Sequence, residues 1–310
     1  MRMIAGMTSH RAQLSEALTA RLARQFGSEM PRIVRAFGVE RLPTFRVNML
    51  RTDDRAVMDT CREQSIVIER VPNMPHAFTV KNKTERELLE SSLCQDGYIY
   101  LQGLTSMIPP LVLNLVPGET VLDLCAAPGS KTSQLAALME NQGEIVAVEK
   151  DPVRCQKLTH TLEIQKSTIV KIVSADAALA CKAWPGRFDA ILADVPCSAE
   201  GRINLSDPRS YRYWSQKNIV AHAKMQRRLL RAAIPCLKPG GRLVYSTCTL
   251  ALEENEEMMG WLVATFPNMR PVSFTVPLTA TRMVKPMGMY ILPTEKHEGL
   301  YLALLQKSAG

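Results

Sequence analysis

The chain has 310 residues, 46% hydrophobic and 22% charged, an ordinary globular composition with room for one large domain or a catalytic domain plus a smaller one. Its 8 cysteines form no C-x-x-C pair, which argues against zinc, and neither a secretory leader nor an apolar run of roughly 18 residues is present, so a metal-free, monomeric, cytoplasmic chain with reduced thiols and no membrane partner is expected. The formal net charge of +8 points toward a polyanionic partner.

The opening "SHRAQLSEALTARLARQFG" predicts an amphipathic helix, because Leu14, Leu18, Leu22 and Phe26 recur every four residues and Gly27 ends the pattern. A strand at "TFRVNML", a helix at "DDRAVMDTCREQ" capped by Asp53 or Asp54, and strands at "SIVIERV" and "AFTV" follow. That order suggests a small α+β unit resembling the ferredoxin-like or RRM-like class. "KNKTERELLES" and "DGYIYLQ" read as the bridge to the next unit, giving expected domains of 1–96 and 97–310.

From there strands and helices alternate. "TVLDLC", "EIVAVEK", "IVKIVSAD" and "FDAILADVPC" read as strands, and "SKTSQLAALMENQG" and "DPVRCQKLTHTLEIQ" as helices. The long helix "NIVAHAKMQRRLLRAAIPCL" precedes a last strand in "KPGGRLVYSTCTL". Such alternation predicts a doubly wound, Rossmann-like sheet with ligand groups at the strands' carboxyl ends.

At the first strand's end, "AAPGSKT" is a glycine-containing turn into a helix, suited to an anionic group such as a carboxylate. It is neither a P-loop, since Ser130 separates Gly129 from Lys131, nor a G-x-G-x-x-G fingerprint. Glu149 ends the next strand, where a carboxylate bonds ribose hydroxyls, and Asp176 ends the third, placed to accept from an adenine amino group. Adenosine joined to an amino-acid carboxylate describes S-adenosylmethionine better than NAD. The fourth strand ends in Asp194 with Cys197 in the turn beyond, and "YSTCTL" puts Cys248 at the end of the last. Taken alone, such a thiol is either a small buried hydrophobe or a nucleophile. No Ser-His-Asp company is evident among the five histidines.

"DLCAAPGSKT", "DVPCSAEG", "LKPGGRLVYSTCTL" and the following "EENEE", with the lead-in "YLQGLTSMIPPLVLNLVPGETVLD", resemble the NOL/NOP/SUN (RsmB-like) family of RNA cytosine-5 methyltransferases. The likeness covers about 97–266 and, weakly, the tail near "EGLYLALLQK". It implies a class I methyltransferase domain with an antiparallel C-terminal strand, and methylation of cytosine carbon 5 in rRNA or tRNA. It further implies that Cys248 attacks carbon 6, that Asp194 bonds or protonates nitrogen 3 and that Cys197 assists release, with Lys131 in a looser catalytic or orienting part. Carried over residue by residue, S-adenosylmethionine lies against Cys125, Ala126, Ala127, Pro128, Gly129, Ser130 and Lys131. Glu149 then holds the ribose and Asp176 the adenine, Asp194 stands near the reacting end, and Arg154 is a further contact or a solvated helix arginine. Cys61, Cys94, Cys155, Cys181 and Cys236 read as packing residues.

For RNA, "GRINLSDPRSYRYWSQKN" interleaves Arg202, Arg209, Arg212 and Lys217 with Tyr211, Tyr213 and Trp214, whose rings either stack on bases or pack the loop. Arg227, Arg228 and Arg231 read as a solvated helix face, and Arg46 and Arg51 as RNA contacts of the small unit. The chain is expected to be too short for the extra N-terminal helical domain of some bacterial members, with little room in its tail for an appended PUA-type RNA module, so rRNA and tRNA stay open. Two other readings are an RNA-binding assembly factor with a vestigial site, which the intact Cys197, Cys248 and Asp194 disfavour, and a DNA cytosine methyltransferase, which would use Cys197 as nucleophile.

Overall fold

A computed structural model describes residues 14–278 and 282–309. Helix α1 (Glu16–Phe26) starts where Ser15 Oγ accepts from the Leu18 N–H at 3.3 Å, and buries Leu18, Leu22 and Phe26 along one stripe. Residues 9–13 of the predicted helix lie outside the described residues. Helix α2 (Met30–Phe37) follows and buries Ile33 and Phe37.

The first sheet holds β1 (Thr44–Val47), β2 (Ile68–Arg70), β3 (Ala77–Val80) and β4 (Ile99–Leu101) in the order β2-β3-β1-β4, with all pairs antiparallel. Helix α3 (Asp54–Glu63), opened by the Asp53 carboxylate, crosses from β1 to β2, and α4 (Glu85–Leu89) and α5 (Ser92–Gln95) cross from β3 to β4. Phe45 and Phe78 stack at 5.4 Å in its core, with Val57, Leu88 and Ile99 around them. Ile99–Leu101, expected to belong to the bridge, pairs with β1 instead.

Helix α6 (Ile108–Val112) leads into the larger sheet. Four parallel strands come first: β5 (Thr120–Asp123), β6 (Glu144–Glu149), β7 (Val170–Ser174) and β8 (Phe188–Asp194), joined by α7 (Ser130–Leu138), α8 (Pro152–Ile164) and α9 (Ala177–Ala180). Helix α10 (Gln216–Ala233) leads to β9 (Leu237–Thr247), parallel to β8. After α11 (Glu256–Thr265), β10 (Met269–Pro271), β11 (Arg282–Lys285), β12 (Gly288–Ile291) and β13 (Leu300–Lys307) form only antiparallel pairs. The order is β11-β12-β13-β9-β8-β5-β6-β7, with β10 on β13. The chain reverses its winding between β5 and β8, which opens a crevice at the carboxyl edge. Strands β5, β6 and β8 are almost wholly buried, the run of apolar residues that a sheet covered on both faces demands.

Helices α1 and α2 pack on this large sheet: Leu18, Leu22, Phe26, Ile33 and Phe37 share one core with Leu122, Ile191, Tyr245 and Tyr290. Arg46, expected to face RNA, is buried and joins the two sheets. It donates to Gln102 Oε1 at 3.0 Å, Ser133 Oγ at 2.7 Å and the Ser130 carbonyl at 3.3 Å. Its guanidinium lies 5.1 Å from the Tyr100 ring centre, a use of arginine at a dry junction that sequence position does not disclose. Arg51 likewise lies against a ring, that of Tyr98.

Candidate active site

Register brings the reactive residues together. Asp194 stands opposite Ser246 in the parallel β8–β9 pair, so the turn carrying Cys197 and the end of β9 carrying Cys248 leave the same edge. The two thiol sulfurs are 3.3 Å apart. Asp194 Oδ1 accepts from Ser246 Oγ at 2.7 Å, and Oδ2 pairs with Lys131 Nζ at 2.6 Å. Lys131, from the first turn of α7, also donates to Ser106 Oγ at 3.0 Å. Cys248, Cys197, Asp194 and Lys131 therefore form one cluster.

Burial opposes the Lys131 ammonium, but the Asp194 carboxylate overrides it by charge and hydrogen bond, and the group sits above the usual lysine range. The hydrogen bond shared with Cys197 holds the Cys248 thiol below its ordinary range, with Arg202 acting in the same sense. The same bond, with burial, holds Cys197 well above it.

The loop after β5 approaches this cluster from the other side of the crevice. Gly129 adopts φ +107°, and a Cβ there would lie 3.0 Å from Leu158 Cδ1 and Thr161 Cγ2, which explains the glycine at this close helix approach. Beside the loop a cleft is lined by Cys125, Glu149, Arg154 and Asp176, with Leu124, Val148, Pro196 and Met225 as apolar walls. Glu149 ends β6 and is nearly buried; its carboxylate accepts from the Asp151 N–H at 3.0 Å and pairs with Arg154 Nη1 at 3.2 Å. Asp176 caps α9 and accepts from Arg228 Nη2 at 2.7 Å. Apolar walls with carboxylates at two successive strand ends suit a flat base and a diol, so the residues fit an adenosine group. Ala126 and Ala127 are buried backbone of the loop, and Cys125 is a thiol that burial pushes up, in keeping with a packing part. Pro128 and Ser130 flank Gly129, the residue before α7.

Arg154, Arg228 and Arg231 are exposed, as a solvated face requires, and they also make specific contacts. Arg154 joins Glu149 to the Ala127 carbonyl, at 2.6 Å from the latter, and Arg228 lines the cleft. Arg227 and Arg231 lie 5.7 and 5.4 Å from the Trp261 ring centre. In the loop after the Pro-Cys turn, Trp214 packs and donates to Glu200 Oε1 at 2.8 Å, and Tyr211 packs on the core. Tyr213 is 70% exposed under the Arg212 guanidinium.

Sequence reasoning missed three contributors and the place of Arg202, which it had read only as a basic residue of the RNA stretch. Asp123 is buried beneath the cluster, accepts from Thr132 Oγ1 at 2.7 Å and is raised by burial to about 6. Ser106 steadies Lys131. Arg202 faces Cys248 and pairs with Glu298 at 3.1 Å. Glu254 anchors the Pro-Cys turn through Ser198, and only its membership of the acidic "EENEE" run could have drawn notice. Among the described residues no helix is long and apolar enough to cross a membrane, and no group of three or more His, Cys, Asp or Glu is placed to hold a metal ion.

A family profile described as 16S rRNA methyltransferase RsmB/F matches residues 110–306. Ribosomal RNA small subunit methyltransferase F of Pectobacterium atrosepticum is 37% identical over 230 residues, 73% of this chain and 47% of that protein. The chain thus spans about half the length of that curated relative. A tRNA (cytosine(49)-C(5))-methyltransferase of Pyrococcus abyssi is 38% identical over 224 residues, 71% of this chain and 70% of that one. Among solved structures, a methyltransferase homolog protein from Pyrococcus horikoshii superposes with a TM-score of 0.82 at 28% identity, covering 96% of both chains.

Proposed function

Since the chain belongs to the 16S rRNA methyltransferase RsmB/F family, we propose that it methylates carbon 5 of a cytosine in rRNA or tRNA with S-adenosylmethionine as donor. The observation that carries this reading is the pair of thiols 3.3 Å apart at the carboxyl edge, beside the Lys131–Asp194 ion pair.

Cytosine carbon 5 is too electron-poor to take a methyl group directly. Cys248 adds as thiolate to carbon 6, and the ring becomes an enamine that is nucleophilic at carbon 5. Asp194, oriented by Ser246 and paired with Lys131, bonds or protonates nitrogen 3 and offsets the charge that develops there. S-adenosylmethionine, when bound, supplies an electrophilic methyl group on a sulfonium. The residues that would hold it are the backbone of 125–131, Glu149 at the ribose and Asp176 at the adenine, with the apolar cleft walls excluding water. Once carbon 5 carries the methyl, the carbon-5 proton leaves to solvent with the assistance of Cys197, the electron pair of that C–H bond restores the 5,6 double bond, and the carbon 6–sulfur bond breaks, freeing Cys248 as a thiolate. The target base must be single-stranded or turned out of its stack to admit a thiol at carbon 6.

The small N-terminal unit is read as a ferredoxin-like RNA guide, supported by its β-α-β-β-α-β order and the strand order β2-β3-β1-β4. Because Ile99–Leu101 pairs with β1, its boundary, expected at 96, is read as lying after β4. Arg212 and exposed Tyr213 are read as contacts to phosphate and base.

The test is incubation of the full chain with methyl-labelled S-adenosylmethionine and total cellular RNA, followed by nucleoside analysis. Label is expected in 5-methylcytosine, and label in adenine or in protein alone would overturn the reading. Cys248→Ala is expected to abolish both methylation and covalent RNA adduct, whereas Cys197→Ala is expected to trap the adduct on a denaturing gel. Methylation surviving in Cys248→Ala would reassign the nucleophile. Separating rRNA from tRNA before nucleoside analysis identifies the substrate class.

A further inference from the structure

Each thiol is followed by a short segment that carries an acid, and one arginine holds both acids. Cys197 leads through Ser198 and Ala199 to buried Glu200, and Cys248 leads through Thr249 and Leu250 to half-buried Glu253 in the turn Leu252–Glu254. Arg21, on α1, donates from Nη1 to Glu253 Oε1 at 2.9 Å and from Nη2 to Glu253 Oε2 in a short bond. Its Nε stands 3.6 Å from Glu200 Oε1, so the guanidinium fork spans the two segments. Among the described residues neither Glu200 nor Glu253 forms another ion pair. Trp214 and Gln216 add neutral hydrogen bonds, at 2.8 Å to Glu200 and 2.7 Å to Glu253. Gln25, one turn further along the same helix, donates from Nε2 to the Leu250 carbonyl at 2.6 Å and to Tyr290 Oη at 3.2 Å.

The buried stripe of Leu18, Leu22 and Phe26 seats α1 on the large sheet, so Arg21 and Gln25 act from a fixed base. Glu200 belongs to one thiol's segment and Glu253 to the other's, so like charges oppose each other across the joint. Burial lifts the Glu200 carboxyl to about 7, against the Trp214 bond and the Arg21 charge, so above that pH it stands ionised and answers Arg21. Direct ties also cross the joint, from Ser198 Oγ to Thr249 Oγ1 at 2.7 Å and from the Gly201 N–H to the Cys248 carbonyl at 2.9 Å. These fasten the two backbones where they pass, and leave the carboxylates beyond them to repel unless a cation stands between. The helix lies outside the stretch 110–306 that the family profile matches, so the site borrows these two side chains from beyond it.

We propose that α1 serves the reactive edge rather than the RNA-guiding unit, with Arg21 and Gln25 as positioning residues that hold the Cys197 and Cys248 segments at their working separation. The proposal rests on the reading of these two cysteines as the catalytic pair.

The experiment treats the full chain, at pH 8 without RNA or donor, with dibromobimane, a flat bicyclic reagent whose second arm closes on a neighbouring thiol once the first has reacted. Peptide mass spectrometry gives the ratio of the Cys197–Cys248 bridge to the singly alkylated cysteines, which reads how the two thiols are placed. The wild type is expected to give mainly the bridge. Arg21→Met, which keeps the stem and removes the charge, is expected to lower the ratio about tenfold, and Arg21→Lys, which keeps a cation, only about threefold. Adding Glu200→Gln and Glu253→Gln to Arg21→Met removes the repulsion and is expected to restore most of the ratio, a rescue that a merely structural arginine would not show. A wild type alkylated at both thiols without bridging overturns the proposal. So does an Arg21→Met protein, folded by thermal melt, with an unchanged ratio. If that variant does not fold, Gln25→Met, which keeps the volume and removes the donor, is expected to lower the ratio about threefold, and its failure to do so overturns the proposal equally. In RNA methylation Arg21→Met is expected to lower kcat about tenfold with KM within about twofold, and an effect on KM alone would place α1 in RNA binding instead. Because bridging needs no methyl transfer, a wild type that bridges yet methylates no RNA would sink the enzymatic reading alone. Methylation with an unmoved Arg21→Met ratio would sink only this proposal.

Discussion

Asp123 shows how one residue's environment is decided by its neighbours. Burial, with repulsion from Asp194, lifts its carboxyl from 3.8 to about 6, against the Thr132 hydrogen bond and the Lys131 charge that act the other way. The folded state therefore holds a proton between pH 4 and 6 that the unfolded chain has released. Stability linked to this group is fully present below pH 4 and lost as pH rises through 6. Asn has no such titration, so wild-type stability relative to Asp123→Asn is expected to fall by about 3 kcal/mol between pH 4 and pH 7. Urea unfolding of both proteins at each pH measures it; a difference that stays flat with pH would show that Asp123 is ionised throughout. Nothing in "TVLDLC" distinguishes this aspartate from a solvated one, because the strands that flank it in the sheet, β6 and β8, lie further along the chain. Cys248 is the opposite case: the motifs around it were legible, and only its partner distance had to be supplied by the fold.

Among the elements, the turn after the Pro-Cys motif touches the Cys248 segment backbone to backbone. The Gly201 N–H donates to the Cys248 carbonyl at 2.9 Å, and its own carbonyl accepts from Gly299 at 2.8 Å. A Cβ on Gly201 would lie 2.7 Å from the Gly299 carbonyl oxygen and 2.9 Å from that of Cys248, all backbone atoms that cannot swing aside. Gly201→Ala is thus expected to push the Cys248 segment off its position and to lower the rate of RNA adduct formation about 100-fold, as a displacement near 1 Å does in a preorganised site. Single-turnover adduct kinetics beside a thermal melt separates this from unfolding. An unchanged adduct rate would mean that the turn accommodates the methyl group. The strand and helix periodicities located these elements well, since caps such as Asp53 and Asp151 sit where the sequence put them. The crossing contacts between turns escaped, because a glycine's close approach has no periodicity.

At the scale of the whole molecule, the excess of 8 positive charges has a testable consequence for RNA. Exposed Arg212 and Lys217 lie on one stretch beside Tyr213, and replacing both by Ala is expected to lower the slope of log affinity against log salt by about 1 to 2 for single-stranded RNA. Filter binding at several salt concentrations measures it, and an unaltered slope would remove this stretch from the phosphate path. Arg46, read as an RNA contact of the small unit, instead fastens the small sheet to α7, whereas Arg228 and Arg231 are exposed as a solvated helix face requires, with Arg227 and Arg231 lying against Trp261. The helices at the start were legible as amphipathic, yet a stripe of leucines says only that something covers it. The structure supplies the large sheet as that partner, so they pack with the unit they precede by some ninety residues. The sequence by itself determined the alternation that builds a doubly wound sheet and the residue types at its strand ends, because both are written in local periodicity and short motifs. Only the tertiary structure decided which thiol faces which charge, and which arginines are dry, because electrostatics and burial depend on distances between segments that are far apart along the chain.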